Sequence, residues 1–273
     1  MLTAGCFLIK QYKEVGKGVA IVIPARLASE RLPNKVLLDI AGLPMIEHVR
    51  RRAIMNKHSV PVFVASGDTQ ILEIVENFGG RTLRTYKDHT DGLSRVNEAV
   101  ASLSFEHFII LQGDEVLVVP SEIDRVIEEI SNSPEVEVWN QITSLSHPEE
   151  LANVSIVKCL TDTSNNIFSI FRKSPLTSKI ETQMSLVSKI CGLFAVSKSA
   201  MSEICNKHNS PLQIAESIEQ LKFIEYGFLI KLISTDFNFP SINLLEDVEK
   251  VKEVFSTSPQ QGRILDEILT STI

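Results

Sequence analysis

Hydrophobic positions in the first half of the chain alternate between short continuous runs and helical spacing. Residues 18–24 form a run of mostly β-branched residues that ends at Pro24, a pattern typical of a strand buried on both faces. Further strands are predicted over 61–65, 81–85 and 108–111, and helices over 45–57, 69–78, 93–103 and 121–131, the last with Ser121 as its N-cap. This alternation predicts βαβ units in a mostly parallel sheet.

The second half of the chain has a different rhythm. Strands are predicted over 136–142, 155–160, 167–171, 190–196 and 230–234, and helical segments over 212–226 and from 248 to 255. The polar residues 161–166 are typical of a turn and predict an antiparallel hairpin between the strands that flank them. We therefore expect an α/β fold, a Rossmann-like, mostly parallel sheet flanked by helices, with a smaller antiparallel lobe. A single domain over 19–273 is predicted, preceded by an extension over 1–18.

Composition and charge exclude several classes of protein. The chain is 44% hydrophobic and 22% charged, as in ordinary globular proteins, and its net charge of −7 argues against broad nucleic-acid binding. No run of about 18 apolar residues predicts a membrane span, and the first 18 residues lack the features of a secretory signal, so we expect a cytoplasmic protein. The four cysteines show no metal-binding or disulfide spacing and are interpreted as free thiols: Cys6, Cys159, Cys191 and Cys205.

The loop after the first strand is basic. Arg26, Arg31 and Lys35 lie within ten residues of each other at the carboxyl end of that strand, where ligands bind to open α/β sheets. Cations in such a loop can hold a triphosphate and stabilise charge at the phosphate under attack. A solvated basic loop without a ligand is the alternative. In either case, Arg26 and Lys35 are expected to face solvent in the free protein.

An acidic turn follows the buried strand at 108–111. In the sequence Gln112-Gly113-Asp114-Glu115, the carboxylate of Asp114 suits Mg²⁺, which prefers one or two carboxylates together with substrate phosphate oxygens. A plain acidic turn, in which glycine permits a sharp bend, is the alternative.

These motifs together resemble a known family. The chain has Arg-x-x-Ser-x-Arg-Leu-Pro-x-Lys over 26–35, Gly-x-Pro-Met-Ile over 42–46 and Gln-Gly-Asp-Glu over 112–115. This combination is similar to that of the CMP-KDO synthetases (3-deoxy-manno-octulosonate cytidylyltransferases), and the resemblance extends from about residue 19 to 254. Residues 154–172 resemble the middle segment of the family, and Ser-Pro-Leu at 210–212, with Glu216 and the residues 219–222, resembles its Ser-Pro-Leu-Glu helix.

The resemblance implies a fold of the nucleotide-diphospho-sugar transferase type and a reaction. A cytidylyl group would pass from CTP to a 3-deoxy-ulosonic or related sugar acid with release of pyrophosphate, dependent on Mg²⁺, in a homodimer. Residues 19–135 would bind the nucleotide and 136–235 the sugar and the second subunit, with 236–273 as a C-terminal segment. The catalytic residues would be Arg26, Lys35 and Asp114, and the metal ligands Asp114 and Asn243. The nucleotide would contact Ala25, Arg26, Ser29, Arg31, Lys35, Ser66, Arg95 and Gln112, and the sugar Ile190, Phe194, Val196, Gln213 and Glu216.

Several positions depart from the family pattern. The proline after Gly-Asp-Glu is Val116, a pocket histidine is Ile190, and two pocket tyrosines are Phe194 and Val196. Near the C-terminus, Asn243 stands where a second metal-binding aspartate is expected. A weakened metal site is therefore expected, with Glu246 or Asp247 as a substitute ligand being the alternative. The acceptor is either KDO itself or a modified or different sugar acid, and unmodified KDO is expected to be the poorer substrate. Two alternatives stay open: a glycosyltransferase-like protein, although no Asp-x-Asp follows the central strand, and a catalytically weakened binding relative.

Overall fold

The computed structural model describes residues 15–29 and 31–270. Most of the predicted N-terminal extension, residues 1–14, lies outside the described residues, as do Glu30 and the last three residues. The strands are β1 (Val19–Pro24), β2 (Asp39–Ile40), β3 (Leu43–Pro44), β4 (Val62–Ser66), β5 (Arg81–Arg84), β6 (His107–Leu111), β7 (Val138–Ser144), β8 (Lys158–Thr161), β9 (Asn166–Phe171), β10 (Val187–Ser197) and β11 (Ile230–Thr235). The helices are α1 (Met45–Ile54), α2 (Thr69–Asn77), α3 (Gly92–Ala99), α4 (Pro120–Asn132), α5 (Glu149–Ala152), α6 (Ile180–Leu186), α7 (Lys198–Cys205), α8 (Pro211–Glu216), α9 (Gln220–Glu225), α10 (Asp247–Thr257) and α11 (Pro259–Thr270).

The first half of the chain builds the parallel part of the main sheet. β1 lies between β4 and β6, and β5 flanks β4, with parallel pairing throughout. Every residue of β1 is buried, because helices cover both faces of the sheet. Alternate residues of β1 enter two separate cores: Ile21 and Ile23 pack with α1, α2, α4 and α10, and Val22 packs with α3, α7 and α9. The predicted α/β fold with flanking helices is confirmed.

The second half of the chain continues the same sheet, with antiparallel pairing except between β7 and β11, which run parallel. β10 runs antiparallel to both β6 and β7, and its first residues also pair with β8. β7 also pairs with β11, β11 with β9, and β9 with β8. The five strands β7 to β11 therefore form a closed ring, which does not include β6. The predicted hairpin is present as β8 and β9. One long strand, β10, thus belongs both to the parallel part of the sheet and to the ring.

Three predicted helices differ from those observed in continuity, in the N-cap or by four residues at one end. The helix predicted over 212–226 is two helices, α8 and α9, separated at Ser217, whose backbone is left-handed with φ +52°. Helix α4 begins at Pro120 with Val119 as its N-cap, so Ser121 is not the cap. Proline is favoured at the first helical position because it lacks the N–H that would be left unpaired there. Helix α3 ends at Ala99, four residues before the predicted end.

The C-terminal helices pack against α1 through buried arginines. Arg51 donates a hydrogen bond to the carbonyl of Ile268, and Arg52 donates to the side chain of Gln261 at 2.8 Å. Arg50 and Arg51 both pair with Glu47 within α1. These contacts hold α11 against α1, so α11 packs as part of the folded domain.

Candidate active site

The predicted basic loop and acidic turn meet at one edge of the sheet. β1 and β6 are parallel neighbours, so the segments that follow them leave the sheet side by side. A single helical turn at Lys35–Leu37, preceded by Asn34 in the left-handed conformation, directs Lys35 to Asp114. Lys35 Nζ donates to Asp114 Oδ2 at 2.6 Å, and the two side chains are 13% and 24% exposed. The expectation that Lys35 faces solvent is therefore wrong, because its carboxylate partner draws it into the site.

The two arginines of the basic loop are exposed. Arg26 Nη1 lies 3.5 Å from the carbonyl oxygen of Thr90, and Arg31 Nη2 donates to Asn243 Oδ1 at 2.7 Å. The loop itself is held by Asp68, whose carboxylate accepts from the backbone N–H of Leu27 at 2.9 Å. Cations therefore line the loop within reach of solvent, as a triphosphate site requires.

The two predicted metal ligands lie on adjoining segments. The backbone N–H of Ile242 lies 3.4 Å from the carbonyl oxygen of Asp114, which brings Asn243 to the same edge of the sheet. The carboxylate of Asp114 and the amide oxygen of Asn243 are both bound by cations, Lys35 and Arg31 respectively. The donor set of one carboxylate and one neutral oxygen fits Mg²⁺ when phosphate oxygens supply further ligands. Among the described residues, no group of three His, Cys, Asp or Glu side chains could hold a metal ion by itself.

The remaining predicted nucleotide residues support the site mainly from within the fold. Ala25 is buried and donates its N–H to the carbonyl of Ala65, and the hydroxyl of Ser66 accepts from the N–H of Asp68. Arg95 is buried beneath Gly67, where it donates to the hydroxyl of Thr85 at 2.7 Å, and burial lowers its pKa. Ser29 is half-buried, with its N–H bonded to the carbonyl of Leu27. Contact with a nucleotide stays a prediction for these residues.

A second polar cluster flanks the acidic turn. Its central member is Glu219, which was not predicted as a site residue. Glu219 accepts from Gln112 Nε2 at 3.0 Å and from the N–H of Leu93 at 2.8 Å. Burial, and then the nearby carboxylate of Asp91, raise the pKa of Glu219 to about 7. Gln213 donates to Asp91 at 3.3 Å. Glu219 belongs to the segment 219–222 noted in the sequence, but treating 212–226 as one continuous helix concealed the turn that aims it at Gln112.

The predicted sugar residues do not all share this cluster. Phe194 and Val196 are 1% and 0% exposed and pack in a hydrophobic core with Phe108. Their side chains therefore present no free surface to a sugar in this conformation. Glu216 is half-buried and contributes its backbone carbonyl, which accepts from Arg172 at 2.9 Å. Ile190 is half-buried and lines a cavity behind the acidic turn.

Comparison with known proteins agrees with this arrangement. A family model described as Cytidylyltransferase matches residues 20–233. The 3-deoxy-manno-octulosonate cytidylyltransferase of Geobacter sulfurreducens is 32% identical over 86% of this chain and 98% of its own length. The 8-amino-3,8-dideoxy-manno-octulosonate cytidylyltransferase of Shewanella frigidimarina is 33% identical over 85% of this chain and 96% of its own. A solved structure of CMP:2-keto-3-deoxy-manno-octonic acid synthetase complexed with CTP superimposes with a TM-score of 0.80 at 30% identity, over 87% of this chain and 98% of that one. The chain belongs to the cytidylyltransferase family.

Proposed function

We propose that this enzyme transfers a cytidylyl group from CTP to a 3-deoxy-ulosonic acid of the KDO type and releases pyrophosphate. The carrying observation is the contact between Lys35 and Asp114 at the adjoining carboxyl ends of β1 and β6, in a chain whose relatives are named for this reaction. A cation and a carboxylate held together there match what nucleotidyl transfer needs: charge stabilisation at the α-phosphate and positioning of the attacking group.

Different groups in the site bind the phosphates and the acceptor. Lys35 and Arg26 neutralise the charge that develops on the α-phosphate, and Arg31, which is exposed, binds the outer phosphates. The acceptor hydroxyl approaches from the side of Gln112 and Glu219, because this hydrogen-bonded pair offers polar groups next to Asp114. Asp91 and Gln213 complete the polar wall on that side. Attack and departure of pyrophosphate occur without a covalent enzyme intermediate.

Magnesium is part of the proposal. Asp114 and Asn243 would hold it, and the ion would supply charge neutralisation on the phosphates. Because Asn243 offers only a neutral oxygen, Asp114 provides the one charged protein ligand of this pair, and the affinity for Mg²⁺ is expected to be modest.

The test is an assay of pyrophosphate release with each of the four nucleoside triphosphates and a panel of sugar acids. The panel includes KDO and its 8-amino-8-deoxy analogue, since relatives are named for both acceptors. Pyrophosphate release that requires CTP and one of these acids supports the proposal. CTP binding without turnover on any acceptor would indicate a catalytically weakened relative. Release of a nucleotide from a preformed nucleotide sugar would indicate a glycosyltransferase-like enzyme.

The assembly is proposed to be a homodimer formed through the ring of β7 to β11 and its helices. Large apolar side chains that are more than half exposed occur on β9, α6, α8 and the approach to β11: Phe168, Ile180, Leu186, Leu212, Ile214 and Leu229. Exposed apolar side chains on several elements of this region favour association over solvation. Light scattering should give twice the chain mass for the wild type and the monomer mass for Ile214→Glu, whereas a monomeric wild type would refute the dimer.

The cellular location is proposed to be the cytoplasm, where CTP is available. In the described part of the chain, no helix has the length and apolarity needed to cross a bilayer, and Cys159, Cys191 and Cys205 are free thiols.

A further inference from the structure

The side chain of Glu115 connects three segments that are distant in sequence. Its Oε1 accepts a hydrogen bond from the backbone N–H of Gly192 on β10 at 3.2 Å and another from the hydroxyl of Ser241 at 3.3 Å. Glu115 itself follows Asp114 in the acidic turn, and Ser241 lies two residues before Asn243. One carboxylate oxygen thus joins the turn that carries Asp114 to β10 and to the segment that carries Asn243.

The backbone around Glu115 reinforces this junction. The carbonyl of Gly192 accepts from the N–H of Gln112 at 2.8 Å, and the carbonyl of Asp114 lies 3.4 Å from the N–H of Ile242. A Cβ atom at position 192 would lie 2.5 Å from Oε1 of Glu115 and 2.8 Å from its Cγ. Only glycine therefore lets β10 approach the carboxylate closely enough for the hydrogen bond.

We propose that Glu115 is a positioning residue, a clamp that sets the spacing between the Asp114 turn and the Asn243 segment and so between the two protein ligands of the metal ion. The proposal rests on the proposed function, but it gives Glu115 a role that the family resemblance does not imply. Glu115 acts through its neighbours: its bonded oxygen is engaged by protein donors, and its side chain borders the cavity behind the turn. Groups that orient metal ligands from behind commonly change metal affinity or activity when they are removed.

The cavity provides a matched control. Glu122, on α4, lines the same cavity and is also buried, but its carboxylate binds Gln141 at 2.6 Å and does not contact the acidic turn in the described structure. Removal of either glutamate deletes one carboxylate from the same cavity wall. Of the two removals, only that of Glu115 deletes the side-chain hydrogen bonds from the turn to Gly192 and Ser241.

The experiment measures kcat, KM for CTP and the Mg²⁺ concentration for half-maximal activity in a set of variants. Isothermal titration calorimetry also gives the Kd of Mg²⁺ for the CTP-bound protein without turnover, and this Kd should rise in Glu115→Ala and stay unchanged in Glu122→Ala. Glu115→Ala is expected to lower kcat and raise the half-maximal Mg²⁺ concentration, with a combined effect of about 10–100-fold, and to change KM for CTP less. Glu115→Gln should stay close to the wild type, because its amide oxygen still accepts from Gly192 and Ser241. Gly192→Ala should resemble Glu115→Ala, since the new methyl group displaces the carboxylate. The double variant should be no worse than Glu115→Ala alone, because both changes break the same contact.

Three results would overturn the proposal: wild-type kcat and Mg²⁺ dependence in Glu115→Ala, an equal loss in Glu122→Ala, or fully additive losses in the double variant. If Glu115→Ala does not fold, the comparison of Gly192→Ala with Glu115→Gln decides the matter, and Gly192→Ala at wild-type Mg²⁺ dependence would refute the clamp. Failure of the proposed function is a separate result, because the wild type would then release no pyrophosphate from CTP with any acceptor.

Discussion

At the scale of single residues, the contact between Lys35 and Asp114 is the centre of the proposed chemistry. Lys35→Ala should lower kcat by about 10²–10³-fold, because a preorganised cation at the reacting phosphate is lost. The variant should also unfold at a lower denaturant concentration, since Asp114 is three-quarters buried and would lose its cation. Steady-state kinetics and urea titration measure the two effects.

Lys57→Ala is the control for this prediction. Lys57 pairs with Glu128 on the surface, with side chains 61% and 41% exposed, and should be replaced without loss of turnover. A Lys35→Ala enzyme with wild-type kcat would remove Lys35 from the catalytic residues.

Asn243 is the uncharged member of the proposed pair of metal ligands. Asn243→Asp places a charged oxygen at the position that now bonds Arg31, and Mg²⁺ prefers charged oxygens. The Mg²⁺ concentration for half-maximal activity should therefore fall several-fold, as measured by titrating activity with the metal.

Two neighbouring acidic residues, Glu246 and Asp247, show whether the effect is specific to position 243. Asp247 already accepts from the N–H groups of Asn243 and Leu244 and from Lys250, so its carboxylate is engaged and is not free to serve as a second charged metal ligand. Glu246 is exposed, and Glu246→Gln should leave the Mg²⁺ titration unchanged. Identical curves for the wild type and Asn243→Asp would place this segment outside the metal site.

At the scale of elements, the break between α8 and α9 decides where Glu219 points. Ser217 holds φ +52° and ψ +48°, a conformation that costs a non-glycine residue about 1–2 kcal/mol. Arg172 stabilises the break by donating to the carbonyl of Glu216. Ser217→Gly should therefore raise the free energy of unfolding by up to about 1 kcal/mol, whereas Ser217→Val should lower it and raise KM for the sugar acid.

The same substitution inside a regular helix provides the comparison. Ser202 is exposed within α7, where Ser202→Gly should lower the free energy of unfolding by about 0.5 kcal/mol. Chemical denaturation of both glycine variants tests the contrast, and destabilisation of similar size in both would argue against a left-handed Ser217.

At the scale of the whole molecule, stability should depend on pH through His48. Burial lowers the pKa of His48 to about 4; its Nε2 bonds the carbonyl of Ile40, and its buried Nδ1 has no partner among the described residues. A proton on Nδ1 would bring a buried charge near Arg52 and Arg51, which the carboxylate of Asp39 only partly offsets. The unfolded chain takes up this proton below about pH 6.5, and the folded chain only near pH 4. Stability is therefore lost as the pH falls from 6.5 to 4, by an amount on the order of 3 kcal/mol.

Urea titrations between pH 7.5 and pH 4 measure this loss. His48→Gln removes the titrating imidazole, so the free energy of unfolding should decline less over the same pH range. The decline that remains comes from carboxylates, which titrate equally in both proteins. Parallel curves for the two proteins would show that His48 does not contribute to the pH dependence.

Much of the fold follows from patterns of neighbouring residues. The buried run at β1, the alternation of strands and helices and the turn between β8 and β9 were all predicted, because burial on two faces and turn chemistry leave local signatures. The break at Ser217 has no such signature: serine is common in helices, and the backbone there depends on Arg172, 45 residues earlier in the chain. Ser121 likewise fits an N-cap by composition, and only the position of Pro120 excludes it.

Some residues of the candidate site were likewise predictable from local sequence, and others were not. Lys35, Arg31 and Asp114 were predicted from clustered charge and from their place after buried strands, and these properties are local in sequence. Phe194 and Val196 were matched to pocket positions by alignment, yet strand alternation and the helices packed on β10 place them in a core. The sequence by itself thus determined the family, the parallel sheet and the charged loops of the nucleotide side. Only the tertiary structure decided that Glu219 faces Gln112 and that Glu115 joins Gly192 to Ser241, because these contacts connect residues more than 75 positions apart, beyond any local pattern.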